Sequence, residues 1–422
     1  MVMGKNRSSV STTDGGSATK IAAPVTLGFD PSDEKLLSEP WKWWRDQMPV
    51  ARKIAYFDHA AVAPLSQPAA TAIAELTNDA LTSGDSNWPS WSARLGNLRK
   101  SASSLLNCSI DEICLIPNTT TGINFVADGW PWEPGDNVIL PNGEFPSNLF
   151  PWMNQKSKGV EVRIVPRRSD AYGESEVSVD DLIDRIDAST RIIAVSWVGY
   201  ASGFRMDIDS LVHRAHERGV AVFLDAIQGL GMYPLDLAKT PVDFLAADGH
   251  KWLLGPEGAG VAMIRRDHLD RLRCGTVGWG SVKNSHNYNA PAFDLKDDAT
   301  RFEPGSPNML GGAALAASME IFLRVRHVHG DQAIENRVLD LTEQLDQKLS
   351  GVGATTSLPA DRRHRSGILN FSLPGVAAAT FRERAIEQNI VLSCRGAGVR
   401  ASVHAYNDDD DIDRLVAVAD SF

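Results

Sequence analysis

Between about residues 110 and 265, short runs of β-branched and apolar residues alternate with stretches of helical period. A chain patterned in this way buries both kinds of segment as a mostly parallel sheet with crossover helices, an α/β architecture. The strand candidates are residues 112–116, 137–141, 161–165, 191–196, 220–225, 243–246 and 260–264. Segments 179–186 and 208–218 read as amphipathic helices between them. In open sheets of this kind ligands bind beyond the carboxyl ends of the strands. Asp225 and the loop after Ile116 occupy such ends.

After Pro307 the pattern changes. Long helices are expected over 310–325 and 332–349, then a strand over 367–373, a helix near 379–388, and strand pieces around Ile390 and Val399, which together read as a smaller α+β domain. The expected division is a mobile tail over 1–30, an N-terminal segment over 31–55 packing on the small domain, a large ligand-binding domain over 56–305 and the small domain over 306–422. The acidic run from Asp408 to Asp411 precedes Ile412-Asp413-Arg414-Leu415-Val416, where carboxylates cap a final helix and complement its dipole. A metal site there would need an oxygen-ligand loop, and no such pattern follows, so no metal is expected.

Charge and composition narrow the partners. With 42 basic and 53 acidic residues the formal charge is −11, which argues against broad binding to nucleic acid and for a small substrate. No apolar run approaches the roughly 18–20 residues that cross a bilayer, so a membrane span is not expected. Cys108, Cys114, Cys274 and Cys394 show neither metal-ligand spacing nor a disulfide framework. The first twenty residues lack the apolar core of a secretory signal. A cytoplasmic protein is expected.

The chemistry centres on two residues. Lys251 lies in Asp248-Gly249-His250-Lys251-Trp252-Leu253-Leu254-Gly255-Pro256, and 26 positions earlier the apolar run from Val220 to Leu224 ends in Asp225. Pyridoxal phosphate (PLP) needs a lysine amine to hold its aldehyde as a Schiff base and a carboxylate to keep its ring nitrogen protonated. Asn118-Thr119-Thr120-Thr121-Gly122, between a strand and a helical stretch from Ile123 to Gly129, is either a phosphate cradle or a plain helix cap.

Asp225-Ala226-Ile227-Gln228 followed by Gly249-His250-Lys251 resembles the aspartate-x-x-glutamine and histidine-lysine pair of the class V aminotransferase family, of fold type I. That family includes cysteine desulfurases, kynureninases and isopenicillin N epimerase-like enzymes. The resemblance runs from Tyr56-Phe57-Asp58 to Arg400-Ala401-Ser402-Val403-His404-Ala405-Tyr406-Asn407. It implies PLP on Lys251, with Asp225 at the ring nitrogen and with Thr119, Thr120 and His250 at the phosphate. Gln228 and Tyr200 would address the phenolic oxygen; alternatively Tyr200 packs a turn.

Phe145, in Glu144-Phe145-Pro146-Ser147-Asn148, takes the place of the ring-stacking residue; alternatively it is a core residue under a loop. Desulfurases carry a histidine pair at that place, and Phe145-Pro146 is closer to the kynureninase and epimerase-like branches. Asp248 departs from the phosphate-binding serine of the desulfurases, so it must point away, be neutralised, or belong to a branch that anchors phosphate differently. In Arg301-Phe302-Glu303-Pro304-Gly305-Ser306, Ser306 would reach the phosphate of a partner subunit, which implies a homodimer with shared sites. Arg400 would fork onto the substrate's α-carboxylate; outside that motif it would be a surface arginine.

The reading that follows is a PLP-dependent class V enzyme acting on a small amino acid by transamination, epimerisation or lyase chemistry. The alternative is sulfur transfer of the cysteine desulfurase or selenocysteine lyase type. It needs a nucleophilic cysteine on a mobile loop, and only the five residues 395–399 separate Cys394 from Arg400. A nucleotide-binding dehydrogenase, suggested by Gly255-Pro256-Glu257-Gly258-Ala259-Gly260, fails because these glycines do not open a helix after a first strand.

Overall fold

A computed structural model describes residues 33–170 and 173–422, so the expected mobile tail lies outside the described residues. The centre is a seven-stranded sheet of β1 (Ile113–Ile116), β2 (Asn137–Pro141), β3 (Glu161–Val165), β4 (Thr190–Ser196), β5 (Ala221–Asp225), β6 (Phe244–Asp248) and β7 (Gly260–Ile264). Its spatial order is β1-β7-β6-β5-β4-β2-β3. Strands β2 to β6 run parallel, and β7 is antiparallel to both of its neighbours. All seven expected segments are strands, with ends moved by at most two residues.

Strands β5, β6 and β7 are buried at every position, as a sheet covered on both faces requires. Successive side chains therefore feed two apolar layers. Val222, Leu224, Leu245, Ala247, Val261 and Met263 enter one layer, while Ala221, Phe223, Phe244, Ala246, Ala262 and Ile264 enter the other.

The helices that matter for the site are α1 (Glu34–Ser38), α2 (Pro40–Asp46), α3 (Gln67–Ser83), α4 (Trp88–Leu106), α5 (Thr119–Gly129), α6 (Ile208–His216), α7 (Met309–His329), α8 (Ala333–Gly351), α9 (Ala378–Glu387) and α10 (Asp409–Asp420). Helix α7 packs along α3 and α4, and its Leu315, Met319, Phe322 and Val325 complete the first layer. Helix α5 covers the other face with Ile123, Val126 and Ala127. It starts at Thr119 rather than at Ile123, because the Asn118 side chain accepts the Thr121 N–H and so caps the helix four residues earlier.

The C-terminal unit is a four-stranded antiparallel sheet of β8 (Thr355–Thr356), β9 (Ile368–Ser372), β10 (Ser393–Arg395) and β11 (Gly398–Ser402), in the order β8-β9-β11-β10. Leu341, Leu345 and Leu349 of α8, Phe381 of α9, and Ile412 and Leu415 of α10 pack with Leu369, Phe371, Val399 and Ala401 in one apolar cluster. Asp408 caps α10 by accepting the Asp411 N–H. Arg45 of α2 reaches the same corner, 2.7 Å from Asp411 and 3.0 Å from Asp408. No helix among the described residues is long and apolar enough to cross a membrane.

Gly122 sets how closely α5 approaches the sheet, since a Cβ there would lie 2.7 Å from Ala246 Cβ and 3.2 Å from Ile116 Cδ1. Gly122→Val should therefore lower stability by about 3 kcal/mol, because the overpacking adds to the poor helix propensity of valine. Urea unfolding monitored by circular dichroism measures this, and an unchanged midpoint would contradict the close-approach account.

Candidate active site

The carboxyl ends of β4, β5 and β6 open on a cavity of about 270 Å³, lined among others by Thr119, Thr120, Phe145, Tyr200, Asp225, Gln228, His250, Lys251, Arg395 and Arg400. Nine of the ten residues expected at the site thus face one space. Ser306 is exposed and does not line the cavity of its own chain.

Asp225 ends β5 and is 3% exposed. Burial pushes its carboxyl up to about 6, against opposing pulls from the Ile227 N–H that donates to it and from the Lys251 charge. Lys251 shows the mirror effect: burial pulls its ammonium down to about 8, and Asp225 resists. The low dielectric acts on both, moving each group toward neutrality.

The turn that carries Lys251 is closed twice, by Gly255 N–H donating to Gly249 O at 2.9 Å and by Gly249 N–H donating to Ala259 O at 2.8 Å. A Cβ on Gly249 would sit 2.5 Å from Leu315 Cδ1, so the turn must press against α7 without a side chain. Leu254 takes a left-handed φ of +56°, a conformation costing of order 1–3 kcal/mol for a residue with a Cβ. Ser318 of α7 holds it there, its hydroxyl donating to Leu253 O and Leu254 O.

At the other side of the cavity stands the first turn of α5, whose leading N–H groups have no intrahelical acceptor. The Thr119 hydroxyl accepts the Asp248 N–H at 2.9 Å and keeps its own proton to donate, while the Thr120 hydroxyl donates to Ser147 Oγ at 2.8 Å. Asp248 is buried: one oxygen accepts the Gly249 N–H, and the other lies 2.9 Å from His250 Nδ1. That close pair is not aligned as a hydrogen bond, so His250 Nδ1 has no hydrogen-bond partner. Asp248 lies at the last position of β6, two residues beyond the expected strand end.

Phe145 is 43% exposed and packs edge-on to Tyr200 with ring centroids 5.2 Å apart. Lys251 Nζ lies 5.7 Å from the Phe145 ring centre. Glu144 anchors this lip: its carboxylate accepts the Ser196 N–H at 2.6 Å and the Ser196 hydroxyl at 2.5 Å, and burial raises it to about 7. The Gln228 amide donates to Ala60 O at 3.0 Å and accepts the Trp252 indole N–H at 2.6 Å, which leaves one amide N–H uncommitted.

Arg400, 1% exposed on β11, donates to Tyr200 O at 2.7 Å and to Asp58 at 3.3 Å, and its Nε has no partner. Arg395, Ser147, Ser196 and Asp58 were given no role from sequence. Arg395 carried a weak signal, since an arginine five positions before Arg400 across a short turn returns to the same end of a hairpin. Cys394 sits on β10 opposite Val399, joined to β11 by the two-residue turn Gly396-Ala397, and no cysteine lines the cavity.

A two-layered α/β domain with one antiparallel strand, a small C-terminal unit and a lysine–carboxylate pair at the sheet's carboxyl end define fold type I of the PLP-dependent transferases. The profile of aminotransferase class V matches residues 55–415, and the chain belongs to that family. A probable cysteine desulfurase of Methanothermobacter thermautotrophicus is 29% identical over 392 residues, covering 88% of this chain and 95% of the relative. The apo cysteine desulfurase of Thermococcus onnurineus NA1 is similar in structure, with a TM-score of 0.79 at 22% identity over 90% of this chain and 97% of that one. The cystine C–S lyase C-DES, solved with its product cysteine persulfide, has a TM-score of 0.81 at 22% identity over 89% and 99%. A C-DES mutant solved with glycine covalently linked to its PLP cofactor has a TM-score of 0.82.

The raised Asp225 carboxyl has a consequence for stability. Without cofactor the folded chain keeps a proton that the unfolded chain releases between about pH 4 and pH 6, so stability falls as pH rises through that window and stays lower above it. Asp225→Asn removes this titration. The gain in apoprotein stability should be larger at pH 8 than at pH 5 by about 1 kcal/mol, measured by urea unfolding, and equal gains at both pH values would refute the burial account.

Proposed function

We propose that the protein is a PLP-dependent enzyme that cleaves the carbon–sulfur bond of a small cysteine-type amino acid, with the cofactor held on Lys251. The observation that carries this reading is the buried Asp225 carboxylate facing the Lys251 amine in one cavity, where each lowers the cost of charging the other. Sulfur chemistry takes precedence over transamination and epimerisation because the similar proteins named above are desulfurases and a cystine lyase.

The residues suit PLP. The open first turn of α5 and the free donor on Thr119 offer a phosphate two kinds of donor, with His250 beside them in the cavity wall. Asp248 does not oppose this, because one of its oxygens is held by Gly249 N–H and the other lies beside His250. When bound, PLP supplies an electron sink for the pair left at Cα. Asp225 holds a proton at the ring nitrogen, Phe145 shields the ring face, and Tyr200 and the free amide N–H of Gln228 would address the phenolic oxygen. Lys251, pulled down to about 8, is partly unprotonated near neutral pH and serves as the base at Cα. Arg400 orients the α-carboxylate with the donors that Tyr200 and Asp58 leave free. A homodimer completes the site, with the exposed Ser306 of each protomer directed to the phosphate of the other.

How the sulfur leaves follows from the thiols. A desulfurase returns alanine and a persulfide on its own cysteine, whereas elimination converts cysteine and water to pyruvate, ammonia and sulfide. Cys394 is fixed in a hairpin strand and does not line the cavity. The elimination route is therefore favoured.

Borohydride reduction of the holoenzyme should fix the cofactor on Lys251, read by peptide mapping; an adduct on another lysine, or none at all, would end the assignment. With L-cysteine or cystine as substrate, Cys394→Ser should keep pyruvate formation within about twofold of the unsubstituted enzyme, since the substitution is nearly isosteric and outside the cavity. Alanine as the main product, lost in Cys394→Ser, would instead make the protein a persulfide-forming desulfurase.

A further inference from the structure

A third cation, Arg395, lines the cavity with Lys251 and Arg400. Arg395 lines it from the end of β10, where its backbone is paired with Gly398 before the two-residue turn. Asn370 Nδ2 donates to the Arg395 carbonyl at 3.2 Å, and Arg395 Nη1 donates to Cys394 O at 2.8 Å. Arg400 on β11, opposite Ser393 and so diagonal to Arg395, is balanced by Asp58. No carboxylate among the described residues pairs with Arg395. Its charge is close enough to disfavour protonation of both Lys251 and Arg400.

Lys251, Arg395 and Arg400 line one part-buried space together with the carboxylates Asp225 and Asp248; Asp225 answers Lys251, Asp248 lies against His250, and Arg400 has Asp58, which leaves Arg395 without a carboxylate among the described residues. A part-buried cation left in this way is costly until an anion enters. The candidate phosphate donors lie on α5 and beside His250, on elements other than this hairpin, which leaves a substrate anion as the group to answer Arg395.

Resting on the roles given above to Lys251 and Arg400, we infer that Arg395 is a specificity residue that selects amino acids carrying a second anionic group at the far end of the side chain. A distal carboxylate or sulfinate matches the guanidinium fork, and a neutral side chain leaves it unanswered. Cystine, through its second carboxylate, and cysteine sulfinate are members of the class; cysteine and alanine are not.

The test uses PLP-loaded enzyme and two paired readouts. In binding, calorimetry with glutarate and with butyrate compares a dicarboxylate with its monocarboxylate counterpart. Glutarate should bind about tenfold tighter to the unsubstituted enzyme, and Arg395→Gln should erase the preference. In turnover, the ratio of kcat/KM for cystine, which eliminates cysteine persulfide, to that for cysteine should fall about 10- to 100-fold in Arg395→Gln, with Arg395→Lys intermediate because it keeps the charge without the fork.

Unchanged cofactor absorbance and thermal midpoint establish that the variant is folded; should Arg395→Gln fail to fold, Arg395→Lys alone decides through the glutarate preference. A parallel loss for both members of a pair would mean that Arg395 shares the α-carboxylate with Arg400, and would overturn the inference, as would an unchanged ratio or no glutarate preference. An Arg395-dependent glutarate preference in an enzyme with no C–S cleavage would sustain the inference and refute the proposed reaction instead.

Discussion

Everything in the site depends on one carboxylate kept out of water. Asp225 ends a strand buried at every position, and raising its pKa to about 6 corresponds to about 3 kcal/mol of disfavoured ionisation. A fold tolerates that only where a cation answers it, and Lys251 is that cation. Lys251 in turn stands on a strained turn, with Leu254 in the left-handed region, held by Ser318 and closed by backbone hydrogen bonds. The two apolar layers of the sheet supply the stability against which this local strain is set.

The position of Arg400 is fixed by a second buried network. His59 bridges Ser402 O at 2.8 Å and Tyr406 Oη at 2.7 Å; His404 Nε2 lies 3.1 Å from Trp252 O; and the Trp252 indole N–H donates to Gln228. These contacts join segment 56–60, the Lys251 turn, the loop after β5 and strand β11. Burial pulls His59 down to about 4 and His404 well below the ordinary imidazole value, so both rings are neutral near pH 7. They are crosslinks between the two units and not acid–base groups. Arg400 and Lys251 are thereby held in one frame, although 149 positions of sequence separate them.

This distinction explains what the sequence disclosed. The seven strands were legible because a sheet buried on both faces writes itself as apolar runs, and Asp225 and Lys251 stood out because each is the chemical complement of the other. The early start of α5 was not legible, since the cap at Asn118 competes with a turn reading of the same Asn-Thr-Thr-Thr run. Nor was the Thr119 hydroxyl's bond to the Asp248 N–H, between residues 129 positions apart. Gln228 illustrates the same limit: its motif suggests a cofactor contact, yet two of its amide bonds go to Ala60 and Trp252. Arg395 needed the hairpin register, because an arginine's relation to a cavity depends on which strand faces which.

The chemistry of the thiols completes the separation between this site and one that stores sulfur on the protein. Burial pushes Cys108 up to about 12 and Cys114 well above the ordinary thiol range, and it raises Cys274 as well. Thiols so placed are protonated at neutral pH and are poor nucleophiles. Cys394 is paired across β10 and β11, where moving its sulfur to a substrate would require the hairpin to open and would carry Arg395 and Arg400 away with it. Sulfur capture by Cys394 and the placement of Arg395 and Arg400 in the cavity wall therefore exclude one another on this backbone, and this is the physical ground for favouring elimination over a protein-bound persulfide.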